Sequence, residues 1–275
     1  MLQITALITI SNTFAMDNNL YIHVLDVGQG DAMLVHQPGT CAVLIDAGPP
    51  INGHLVTGKI RELGIEALDM VIVTHPHLDH FAGLFDLMPR IPVKHFYDNG
   101  LANAKWEYFD DYVTLRNRQP YTTLSRGMNL TCGGVKLDAL YPQANPDPEA
   151  GLNDTSLALL VSFGDFTLLH MGDLAGAGEK QFLELGPAPE ADVIKVGHHG
   201  AIDSTSEELL QDVSPKQAMI STATQNRIGS PAEAVLERLL RHGIVIYRTD
   251  AAGDITIEVN PDGYVINTEK RSGNE

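Results

Sequence analysis

A chain of 275 residues with 44% hydrophobic and 19% charged content has the composition of a globular enzyme, and it is long enough for one large domain or two small ones. Its 18 Lys and Arg against 35 Asp and Glu leave a net charge of −17, which repels phosphate backbones and disfavours non-specific nucleic-acid binding. Two cysteines, Cys41 and Cys132, set no disulfide framework, and buried thiols are expected ahead of a single bridge.

Leu2 to Ile10 is apolar enough for a short signal-peptide core, and Thr13-Phe-Ala15 offers small residues for cleavage, but no Lys or Arg precedes them. Residues 1–19 are therefore either a signal peptide or an extra N-terminal strand. A cytoplasmic location is expected, with export (periplasmic or extracellular) as the alternative. No stretch reaches the roughly 18 to 20 apolar residues that a spanning helix needs.

Leu20 to Val27 alternates like a strand, breaks at Gly28-Gln-Gly30 and resumes over Ala32 to His36, which reads as a hairpin. Cys41 to Ile45 is a third strand ending at Asp46-Ala-Gly48. Asp46 and Asp31, at strand breaks, suit turns or electrostatic partners of something central. His54 to Leu63 has helical spacing and stops at Gly64. A β-branched strand then ends at Thr74, and four potential metal ligands follow within six residues: His75, His77, Asp79 and His80. Pro76 biases His75 toward extended chain, where residues two apart face one side, so His75 and His77 can converge on one ion. Asp79 suits the cap of a helix over 80–88 with His80 in its first turn. Two ligand pairs aimed slightly apart suggest two adjacent metals.

Val93 to Tyr97 reads as a strand, with His95 structural. Trp106, Phe109 and Val113 fall at helix spacing within 102–118, and core packing is their default role. Leu130 to Thr131 and Val135 to Tyr141 are strands, and the polar loop 142–151 is too short for a domain linker. Asn153-Asp154 opens the strand Ser156 to Phe163. Phe166 to His170 is a buried strand capped by Gly172-Asp173, before a helix over 175–185. Asp192 to Val196 is apolar and runs into Gly197-His-His-Gly200, where the glycines let the backbone turn sharply enough for one imidazole to reach inward. A strand over Gln217 to Ser221, the loop 222–230, an amphipathic helix over 232–241 and three strands at 244–248, 254–259 and 264–266 follow. Arg248-Thr-Asp250 reads as a structural salt link, and 268–275 as a polar tail.

The run His75-x-His77-x-Asp79-His80 after a buried strand resembles the signature of the metallo-β-lactamase fold. With Asp26-Val-Gly-Gln-Gly-Asp31, Leu44-Ile-Asp-Ala-Gly48, Asn153-Asp-Thr-Ser156, Met171-Gly-Asp173 and Lys195-Val-Gly-His-His-Gly200 in order, the chain resembles the hydrolase domain of ComEC-type DNA-uptake proteins and its stand-alone relatives from about Leu20 to Val259, within one domain expected over 20–267. The resemblance implies an α/β four-layer αββα sandwich with all ligands at one edge. It implies two divalent ions, zinc by default and manganese as the alternative. His75, His77 and Asp173 would hold one ion, and Asp79, His80, Asp173 and His198 the other, with Asp173 bridging. Asp46 would orient ligands from beneath. His199 would face substrate as a candidate general acid, and Asp79 and His199 are the expected catalytic pair. Metallo-β-lactamase-fold enzymes with a complete ligand set carry a further histidine near Asn153-Asp154 that this chain lacks, and the ComEC-like relatives it resembles also have Asn-Asp with a nearby Ser, so Asn153, Asp154 or water would fill in. Ser230 stands where relatives often have histidine, which removes a group that would act on ligands or substrate.

The expected activity is hydrolysis of a small or medium anionic ester, phosphodiesters in particular, by a metal-activated water. The first-turn amides of the 80–88 helix favour an anion. Alternatives are a ComEC-like DNA nuclease, a lactamase or lactonase, and a non-catalytic metal-binding module. Oligomeric state is not legible.

Overall fold

The structure is a computed structural model and describes residues 18–101, 108–147, 149–225 and 229–270. Fifteen strands form two sheets among the described residues. The first contains β1 (Leu20–Val24), β2 (Met33–Gln37), β3 (Cys41–Ile45), β4 (Leu68–Val73), β5 (Val93–Asp98), β6 (Tyr121–Thr123), β14 (Ile255–Asn260) and β15 (Gly263–Thr268), in the order β15-β14-β1-β2-β3-β4-β5-β6. The second contains β7 (Asn129–Cys132), β8 (Val135–Tyr141), β9 (Ala158–Phe163), β10 (Phe166–His170), β11 (Val193–Lys195), β12 (Gln217–Ile220) and β13 (Val245–Arg248), in the order β13-β12-β11-β10-β9-β8-β7. Helices α1 (Gly53–Glu62), α2 (Leu78–Phe81), α3 (Leu84–Leu87) and α4 (Phe109–Arg116) belong to the first half. α5 (Gly176–Glu184), α6 (Glu207–Val213), α7 (Glu233–Arg241) and α8 (Thr249–Ala252) belong to the second.

Strand β3 shows why the central strands read as unbroken apolar runs. Val43 and Ile45 point into the core between the sheets, with Ile72, Leu159, Leu168 and Ile257. Ala42 and Leu44 point outward into a second core with Val56 and Ile60 of α1, Phe81 of α2 and Leu84 of α3. A strand buried on both faces needs no polar alternation. The second sheet repeats this outside: Leu169, Ile194 and Ala218 meet Phe182 of α5, Leu209 of α6 and Val235 of α7. The result is the expected α/β sandwich of two sheets inside helices. No helix among the described residues is long and apolar enough to cross a membrane.

Strands β3 to β6 run parallel, as do β10 to β13. Parallel strands bring their C-terminal ends to one edge. Asp46 follows β3, His75 follows β4, Met171 follows β10 and Gly197 follows β11.

Several expectations change. Cys41, first in β3, and Cys132, last in β7, are bonded as a disulfide that ties one sheet to the other, so they are not free thiols. The helix expected over 80–88 is two four-residue turns, α2 and α3, parted at Ala82-Gly83. Gly83 sits so close to the Ala47 carbonyl that a Cβ there would collide with it, so the chain bends to let α3 pack on α1. Asp79 does not hold the N-cap position of α2; His77 does, without a side-chain capping bond. The strand from Leu20 ends at Val24, and the tail expected from 268 is ordered to Lys270, whose amide donates to the Ala252 carbonyl at 2.8 Å. The helix expected over 102–118 is α4; Trp106, like residues 1–17, 226–228 and 271–275, lies outside the described residues.

Candidate metal centre

The centre is built from four strand ends. Asp46, just past β3, sits at a positive φ of 57° and is fully buried. Its Oδ1 accepts from the Thr74 amide at 2.8 Å. Its Oδ2 accepts from Thr74 Oγ1 at 2.7 Å and from His80 Nδ1 at 2.8 Å. Because Thr74 spends its proton on Asp46, its oxygen is left to accept from His75 Nδ1 at 3.2 Å. Both imidazoles thereby carry a proton on Nδ1 and turn Nε2 toward the centre, the arrangement that orients metal-binding histidines.

Those Nε2 atoms aim at Asp173. Oδ2 of Asp173 lies 3.2 Å from His80 Nε2, 3.6 Å from His75 Nε2 and 3.8 Å from His199 Nε2. His77 Nδ1 lies 2.9 Å from His75 Nε2, so these two rings face one point. The Ser156 hydroxyl accepts from the Asp173 amide at 3.1 Å and fixes that turn. Asp79 is held by Gly30, where a Cβ would collide with the Asp79 carbonyl and where φ is +139°. Asp79 Oδ2 lies 3.5 Å from His199 Nε2.

The tandem histidines are placed in the opposite sense to expectation. His199 is buried, its Nδ1 donates to the Ser221 carbonyl at 3.1 Å, and its Nε2 joins the cluster. His198 stands at the rim, with Nε2 3.1 Å from Asn153 Nδ2. Both residues are left-handed, at φ 46° and 54°, and two successive positive φ values turn the chain so that the second ring faces inward. The structure thus brings His199, expected to face substrate, to the cluster and leaves His198, the expected ligand, outside it.

Two clusters result, His75-His77-Asp173 and Asp79-His80-His199, each with its ligand atoms within 4.8 Å of one another. The donor set fits divalent cations. His80 Nε2, His199 Nε2 and Asp173 Oδ1 are buried without hydrogen-bond partners, and such atoms are costly unless something occupies the space they face. The electrostatics agree. Burial pushes the His80 imidazolium down, yet Asp173 and Asp46 together outweigh it and hold it well above the usual range. His199 is raised likewise, against burial, by Asp173 and Asp79. Burial and the neighbouring His80 hold His75 low. For Asp173, burial is overridden by His80 and His199, and its carboxyl stays far below the ordinary value. The carboxylates at this edge call for positive charge.

Asp31 donates its backbone amide to the Asp79 carbonyl, and its Oδ2 accepts from Lys195 Nζ at 2.8 Å. Burial opposes its ionisation, but Lys195 and His199 bring its carboxyl down to about 2. Asp154 belongs to neither cluster: its Oδ1 accepts from the Gly178 amide at 2.9 Å and holds α5, and the residue lines the cleft beside them. Ser230 is buried, and its carbonyl accepts from Thr222 Oγ1 at 3.0 Å beside Ser221. His95 and His170 stay outside the clusters, one paired with Thr122 Oγ1 and the other accepting from the Gly172 amide. Arg248 makes its bidentate link with Asp250. Reasoning from sequence missed Thr74, Ser221 and Lys195. Only Lys195 left a mark there, as a charge inside an apolar strand. A cleft of about 390 Å³ opens beside the clusters, lined by His77, Leu152, Asn153, Ala175 and His198. The two split turns at 78–87 undercut the expected anion site, because the His80 and Phe81 amides already donate to the His77 carbonyl.

Residues 25–224 match the family model described as the metallo-beta-lactamase superfamily. ComE operon protein 3 of Bacillus subtilis (strain 168) is 34% identical over 257 residues, covering 85% of this chain and 32% of that protein. Competence protein ComA of Neisseria gonorrhoeae is 27% identical over 249 residues, covering 90% of this chain and 33% of that protein. The chain thus spans about a third of the length of these relatives. Among solved structures, the metallo-beta-lactamase fold protein YhfI from Bacillus subtilis aligns with a TM-score of 0.59 at 14% identity, over 87% of this chain and 99% of that one, a likeness of fold alone.

Proposed function

The chain belongs to the metallo-beta-lactamase superfamily, and from that premise we propose that it is a hydrolase that holds two divalent cations and cleaves phosphodiesters or related anionic esters. The observation that carries this reading is Asp173, whose Oδ2 lies within 3.2–3.8 Å of three imidazole nitrogens at the junction of two ligand clusters. His75, His77 and Asp173 would hold one ion. Asp79, His80, His199 and Asp173 would hold the other. Zinc suits the two imidazoles at each position, and manganese is the alternative. When bound, the pair acidifies a water and offsets negative charge on the substrate.

The chain's own residues do the rest. Thr74, Asp46 and Ser221 fix the imidazole tautomers. His198 and Asn153 line the mouth of the cleft, where His198 is the group placed to give a proton to a leaving oxygen. Asp31, Asp46, Asp79 and Asp173 carry four negative charges against Lys195 and two divalent cations, one positive charge in excess at the ions themselves, while Asp154 and Asp203 line the cleft beyond them and confine that excess to the metal end. A nuclease acting on long DNA has less support, because it needs a basic track and the chain carries −17. The Cys41–Cys132 bridge supports an exported location over a reducing cytosol.

The test is metal analysis of the purified protein, then turnover of bis(p-nitrophenyl) phosphate after adding back zinc or manganese separately. Two equivalents of metal and metal-dependent turnover are expected, with both lost in Asp173→Ala. Undiminished turnover in that variant sinks the two-ion mechanism.

A further inference from the structure

Lys195 ends β11 with 1% of its side chain exposed. A buried ammonium is costly without an anionic partner. Its partner is Asp31, equally buried, whose Oδ2 accepts from Nζ at 2.8 Å. The partnership crosses from one sheet's edge to the other's, beneath the second ligand cluster.

Asp31 lies beside the ligands of the second cluster, on the Nδ1 side of His199. One of its oxygens belongs with Asp173 and His199 to a group whose ligand atoms lie within 4.8 Å of one another, and it forms a similar group with Asp46 and His80. Its Oδ1 is buried, has no hydrogen bond and lies 3.7 Å from His199 Nδ1. The centre therefore has one more carboxylate in reach than the second ion's proposed ligand set uses. Lys195 is the cation that holds it.

Resting on the two-ion reading above, we propose that Lys195 is a positioning residue that keeps Asp31 out of the second ion's coordination, leaving two imidazoles and two carboxylates and so favouring zinc over manganese. Without the ammonium, Asp31 turns to the nearest remaining cation. The position then becomes oxygen-rich, which favours the harder ion.

The experiment dialyses wild type and Lys195→Met against equimolar zinc and manganese and counts bound ions by mass spectrometry. Two ions are expected in each, with the manganese-to-zinc ratio raised roughly tenfold in the variant. The variant's Tm should also gain more from manganese than the wild type's does. The double variant Asp31→Asn/Lys195→Met removes both charges, which spares it an unpaired buried carboxylate, and it should bind two ions at the wild-type ratio. This second variant decides the matter even where the single one does not fold. An unchanged ratio in Lys195→Met, with Asp31 merely taking a proton, overturns the proposal. So does loss of an ion from the double variant, because Asp31 would then be a ligand in the wild type. A wild type that binds fewer than two ions overturns the two-ion reading and this role with it, and the wild-type count tells that failure from the others.

Discussion

At the scale of single residues, the tandem histidines show where sequence stops being informative. Their glycine brackets mark a turn, but which ring faces inward depends on two left-handed residues in succession, and φ is not written in residue type. Asp46 and the 75–80 run were legible because a polar residue closing a doubly buried strand needs a reason to be there. Separate substitutions test the placement. His199→Ala is expected to lose about one equivalent of metal, and His198→Ala to keep both while kcat falls, as read by mass spectrometry and steady-state kinetics. The reverse pattern would return the ligand role to His198. Far from the centre, His23 on β1 is buried with Nε2 unpartnered and Nδ1 3.0 Å from Thr256 Oγ1. Burial first, then Lys59 and His36, lower its pKa from 6.5 to about 4, against a smaller opposing pull from Asp254. The unfolded chain therefore binds a proton that the folded one refuses, and stability falls as pH drops from about 6.5 to about 4. The loss attributable to His23 is about 3 kcal/mol. Urea titrations across that window should show a shallower acid slope for His23→Asn than for wild type; parallel slopes would remove His23 from the account.

At the scale of elements, strands were read well and the helices beside the centre were not. Each strand carries its burial in a run of Val, Ile and Leu, whereas the break of the 80–88 segment comes from contact between Gly83 and the Ala47 carbonyl, residues far apart in sequence. The disulfide ranked behind buried thiols for the same reason. Cys41 and Cys132 are 91 positions apart, and only the stacking of the two sheets brings their Cα atoms to 5.4 Å. Closing so long a loop removes much of the unfolded chain's freedom, worth roughly 2–4 kcal/mol. Cys41→Ala/Cys132→Ala should therefore lower the Tm by roughly 5–15 °C, since about 1 kcal/mol moves a chain of this size by roughly 2–4 °C. Cys41 starts the strand that Asp46 follows, so the bridge sits at the end of β3 away from the metal ligands. Turnover well below the melting range should accordingly stay near wild type. Ellman titration of the denatured wild type should find no free thiol, and two thiols per chain would show that the bridge does not form.

At the scale of the whole molecule, two opposed fields act on a substrate. With the two proposed ions bound, the centre itself would carry one excess positive charge, felt only at short range beside the ions, since Asp154 and Asp203 line the cleft. The chain as a whole carries −17, of which two divalent cations offset only four. Far-field repulsion is what salt screens, because the screening length shrinks from about 30 Å at 0.01 M to about 8 Å at 0.15 M while contact distances stay within it. For a small phosphodiester, kcat/KM should therefore rise by roughly two- to threefold over that range, with kcat unchanged, since only encounter is affected. A neutral lactone should show no such rise, which makes the salt profile a test of substrate class as well as of the field. Long DNA binding through a basic track would give the opposite sign, with affinity falling steeply as salt displaces the advantage of released counterions. A kcat/KM that falls with salt on the small ester would mean that the local positive charge governs approach from a distance, and the acidic surface would lose its force as an argument against polyanionic substrates.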